Sequence, residues 1–205
     1  MTNKSLKQEI KRLTEAFLDM KTAEAEDLES ASKDFVLRIK KLVEKNEDYK
    51  AAEYLVSLYK KLGGKNDKEI LKLAISLVLL PLYLEIHKDL WKKDNIITAN
   101  YKNLYKKDKK KKSQHLGNSV GIVAGDVSTT LAYQVILESK FSKEEKIKLM
   151  KEINIFLENE LKAYTDSIVN NRSNIKNTDF KILANKLIVT LLGASDHKVL
   201  IKTGF

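Results

Sequence analysis

Leu6, Ile10, Leu13, Phe17 and Met20 step by four and three residues, the spacing that gathers one face of a helix. Phe35, Ile39, Leu42 and Val43 mark a second such face, and Tyr54, Leu55, Leu58, Tyr59 and Leu62 a third. Gly63-Gly64 stops that third helix, glycine being the residue that most easily leaves a helix C-terminus. Asn66 followed by Glu69 suits a helix start, and 70–91 reads as the most apolar helix of the chain. A further helix is expected over 113–138, bearing Gly117, Gly121 and Gly125 at four-residue intervals. Ser142 with Glu145 forms a capping box ahead of a helix with Ile147, Met150, Ile153, Phe156, Leu157 and Leu161. Thr178 opens the last helix, with Phe180, Leu183, Leu187, Val189 and Leu191, which Gly193 ends. No segment alternates like a strand, and no repeat or linker divides the chain. The pattern predicts one all-α domain over 1–205, a bundle of about seven helices.

Composition narrows what that bundle can be. One proline and seven glycines in 205 residues leave few breakers, as a helical protein requires. Cysteine is absent, which excludes disulfides and thiolate metal sites and agrees with a cytoplasmic setting. The polar N-terminus lacks the apolar core of a signal peptide. The longest apolar run, 73–84, is interrupted by Pro81 and falls short of the ~20 residues needed to span a bilayer, so a buried central helix is expected and no transmembrane segment. Of the net charge of +10, more than half comes from 102–112, which holds seven lysines against Asp108. Such a segment attracts phosphates, nucleic acid or an anionic membrane without choosing among them. Tyr101 and Tyr105 offer stacking beside it, but no RNA-binding motif accompanies them, so nucleic acid ranks last among the partners.

Three glycines on one helical stripe cost roughly 1 kcal/mol each against alanine, so something must pass close to that face. The stretch His115-Leu116-Gly117-Asn118-Ser119-Val120-Gly121-Ile122-Val123-Ala124-Gly125-Asp126 resembles the Y/F-G-x-x-x-A-I-L-A-G-D signature of the trans-polyprenyl diphosphate synthases. Leu84-Glu85-Ile86-His87 resembles that family's E-L-x-H segment, about thirty residues earlier and in the family's order. The likeness runs from about residue 51 to the end and implies an isoprenoid-synthase-like helical bundle that lacks its C-terminal part. It also implies a cavity lined by the helix bearing Gly117, Gly121, Gly125 and Asp126.

In that family, two D-D-x-x-D motifs hold Mg²⁺, which binds an allylic diphosphate and assists its departure. Hard Mg²⁺ requires oxygen ligands, carboxylates above all. The resemblance puts the first motif on Asp94-Asn95-Ile96-Ile97-Thr98, where one carboxylate of three remains, so Asp94 and Asn95 are the implied metal ligands. Lys106 and Lys107 stand where the family has an arginine pair on diphosphate; they supply charge without the guanidinium fork. Lys186-Leu187 replaces a Lys-Thr pair, and no D-D-x-x-D occurs in the chain. Together these departures imply a catalytically degenerate member, a non-catalytic subunit or regulator working as a homodimer or as a heterodimer with a catalytic prenyl synthase chain. An isoprenyl diphosphate is its implied ligand, and Mg²⁺ its cofactor if any metal site survives. The alternatives are an active or split prenyltransferase and a helical protein using the lysine-rich loop on nucleic acid or anionic membrane. His87, His115 and His197 lack metal-ligand spacing and read as structural or surface residues. Asp126 reads equally as a cavity-facing carboxylate or a hydrogen-bonding core residue.

Overall fold

The computed structural model describes residues 3–25, 30–45, 48–90, 110–170 and 178–193. Among these there are seven helices and no strand. In chain order they are α1 (Asn3–Glu24), α2 (Ser30–Lys45), α3 (Lys50–Lys61), α4 (Asp67–Leu90), α5 (Lys110–Leu137), α6 (Lys143–Val169) and α7 (Phe180–Leu192). The all-α class expected from the apolar spacing is the one observed.

Local signals in the sequence are made good by hydrogen bonds. At the end of α3 the Gly64 N–H reaches the Tyr59 carbonyl at 2.9 Å and the Gly63 N–H reaches the Lys60 carbonyl at 3.0 Å. This paired arrangement puts Gly63 at φ 90°, a conformation that costs a residue with a Cβ. At the start of α4 the Glu69 N–H donates to Asn66 Oδ1 at 3.4 Å. The capping box of α6 is complete: Ser142 Oγ accepts from the Glu145 N–H at 3.2 Å, and Glu145 Oε2 accepts from the Ser142 N–H at 2.7 Å. The last helix begins at Phe180, two residues after Thr178, with Asp179 as its N-cap accepting from the Lys181 N–H at 3.0 Å.

Two of the expected faces are corrected. In α1 the buried line runs through Leu6, Ile10, Thr14 and Leu18, while Met20 is 42% exposed. A strict count of apolar residues missed this because Thr14 takes a fully buried position. In α6 Leu149, Ile153, Phe156, Leu157 and Tyr164 are buried and Ile147 is 57% exposed. The helix is still within its first turns at Ile147, and its apolar contacts begin with Leu149.

Pro81 lies inside α4, which continues through it for nine more residues, from Leu82 to Leu90. Proline deprives the helix of one N–H and crowds the carbonyl four residues back, here that of Leu77. The interruption expected there is one of side-chain pattern only. Every residue from Leu73 to Leu80 is buried, the signature of a helix that is apolar all round because it is enclosed. By length and composition α4 over Asp67–Lys88 and α5 over Ser119–Leu137 are each long and apolar enough to cross a membrane, longer than the apolar run alone suggested. Of the α4 window 67% is buried within the fold, and of the α5 window 50%.

The described residues fall into two compact units. The first draws on Met1–Leu13, Asp48–Val78 and Tyr133–Phe205. Here α7 packs against both α3 and α6, burying Leu183, Ala184, Leu187 and Ile188 of α7. The Tyr54 hydroxyl donates to Asn185 Oδ1 at 2.8 Å, and the rings of Phe156 and Phe180 meet at 5.3 Å between centroids. In the same unit the Lys140 N–H donates to the buried carboxylate of Glu69 at 2.6 Å, Lys72 Nζ reaches the Glu138 carbonyl at 3.4 Å, and Lys146 Nζ reaches the Leu137 carbonyl at 2.7 Å.

The second unit draws on Thr14–Glu47 and Leu79–Ala132. Its apolar cluster joins Ile86 of α4 with Val120 and Ala124 of α5, covered by the partly buried Phe35 and Leu42 of α2. Lys40 of α2 pairs with Asp19 of α1. The Ser128 hydroxyl of α5 donates to the Leu79 carbonyl of α4 at 2.9 Å, a buried tie between the two helices.

Candidate functional site: a histidine seated on a glycine

The second unit brings together the two phrases that carry the family resemblance. Leu84 and Ile86 are buried, which turns His87 toward α5 from the half-buried edge of the same helix. Opposite it lies Gly125. A Cβ on that glycine would stand 2.6 Å from His87 Nδ1 and closer still to Cε1, inside any permissible contact. Glycine at 125 is therefore the seat of the imidazole ring, and the cost of glycine within a helix is offset by that approach.

The ring is fixed by two further contacts. Nδ1 lies 2.9 Å from the carbonyl oxygen of Tyr83, one turn earlier on α4. A carbonyl only accepts, so Nδ1 is the donor in this contact. Nε2 faces Asp126 Oδ1 at 3.5 Å. The Tyr83 ring tilts against the imidazole at 4.4 Å between centroids. Burial, and secondarily the Asp126 carboxylate, hold the Tyr83 phenol above its ordinary titration range. The result is a small polar cluster on two neighbouring helices, sheltered at the imidazole and open at the carboxylate, whose side chain is 62% exposed.

Of the residues expected to form a site, Gly125 and Asp126 join this cluster, and Gly121 is buried on the same helix. The exposure of Asp126 removes the alternative that it is a core hydrogen-bonding residue. Gly117 lies within α5, as expected. Asp94, Asn95, Lys106 and Lys107 lie outside the described residues, and with them both the implied Mg²⁺ ligands and the implied diphosphate contacts. Among the described residues no group of three or more His, Asp or Glu side chains is placed to hold a metal ion.

Two participants were not legible in the chain. Tyr83 contributes through its backbone carbonyl and its ring, neither of which a motif announces. Ser128 ties α5 to α4 with a side chain that sequence alone reads as an ordinary small helix residue. His87 was visible as part of its segment, but its seat on Gly125 was not.

No family model matches the chain, and neither a curated protein nor a solved structure matches it. The class defined by fold and site together is an all-α helical protein with a His–Asp pair held across two helices.

Proposed function

We propose that this chain is a polyprenyl-synthase-like protein of isoprenoid metabolism, catalytically degenerate, which works as a non-catalytic subunit or regulator of a prenyl diphosphate synthase. The observation that carries the reading is the contact of His87 with Gly125. It joins the E-L-x-H-like segment to the G-D-bearing segment, two phrases nearly forty residues apart in sequence, at the residues by which each was singled out. A chance likeness of two short phrases gives no reason for them to meet, whereas a shared ancestral packing of two helices does.

The loss of independent catalysis follows from chemistry already visible in the chain. Ionising an allylic diphosphate requires metal-borne positive charge held by several carboxylates. The segment 94–98 offers one carboxylate of the motif's three, behind Lys92 and Lys93. A partner chain would supply the reacting groups, and this chain a helical surface and the basic segment 102–112.

The test is prenyl transfer from labelled isopentenyl diphosphate with a panel of allylic diphosphates and Mg²⁺, by the purified chain alone and together with a prenyl synthase co-purified from the source cells. A subunit role predicts no product from the chain alone and an altered rate or product length with the partner. Product from the chain alone would overturn the reading in favour of an active transferase. Failure to associate with any prenyl synthase, coupled with salt-sensitive RNA binding, would move the function to the lysine-rich segment.

A further inference from the structure

We draw no further inference here: the strongest candidate, the exposed apolar pair Ile122 and Val123 on α5 downstream of the lysine-rich run 102–112, is a surface patch for which nothing in the structure shows what covers it, and residues 102–109 lie outside the described ones.

Discussion

The imidazole of His87 occupies the space that a side chain at position 125 would need. Gly125→Ala must therefore push the ring off its seat or part α4 from α5. Forcing an extra methyl into such a contact costs about 1–3 kcal/mol, which we expect as a lowered urea midpoint with an unchanged slope. Adding His87→Ala to Gly125→Ala should recover part of that loss, because the clash and its relief share one contact. Strict additivity in the double-mutant cycle would show that the two residues do not meet.

Tyr83 gives a pH-dependent reporter of the same cluster. Burial and the Asp126 carboxylate both disfavour its phenolate, so its alkaline titration should lag behind that of exposed tyrosines. An acid whose titration is raised by folding stabilises the fold below its unfolded value, and this contribution is lost as pH climbs through the folded one. The native chain should lose stability from this source only above about pH 10. Asp126→Asn should bring the Tyr83 absorbance transition partway back toward the ordinary value. A midpoint insensitive to that substitution would remove Asp126 from the cluster's electrostatics.

The hydroxyl of Tyr54 and the side chain of Asn185 fasten α3 to α7. Tyr54→Phe keeps the ring and deletes the hydrogen bond, for an expected loss of about 1 kcal/mol. Thermal unfolding would report it as a drop of a few degrees, and Asn185→Ala should add little once the hydroxyl is gone.

Ser142 closes the first turn of α6 in both directions. Ser142→Ala should cost about 1 kcal/mol, whereas Ser142→Asp should be nearly neutral, since aspartate caps as well as serine. Equal destabilisation by both would mean that the serine is held for a reason other than capping.

Much of this molecule is legible from short-range rules. Gly63-Gly64, Asn66, Ser142 with Glu145, and Gly193 each mark a helix end, because capping is satisfied within a few residues of chain. Apolar spacing places the helices themselves. It errs at Met20 and Ile147, where exposure is decided by what lies opposite, and at Thr14, where a polar residue completes a buried line. The site shows the same division. The stripe of glycines announced a close neighbour without saying which one, and the identity of that neighbour, His87, is a fact of tertiary packing. The Tyr83 carbonyl could not be read at all, because every residue carries one.

The buried carboxylate of Glu69 takes its hydrogen bond from the backbone of Lys140, a residue outside any helix, while lysine side chains reach the neighbouring carbonyls of Glu138 and Leu137. A connection between helices is ordinarily where a chain tolerates inserted residues and exchanges its amide hydrogens fastest. This one is tied as a helix interior is. The Lys140 amide should exchange with deuterium on the timescale of core helical amides, and an epitope or labelling tag placed between Glu138 and Ser142 should compromise folding where most surface turns would absorb it.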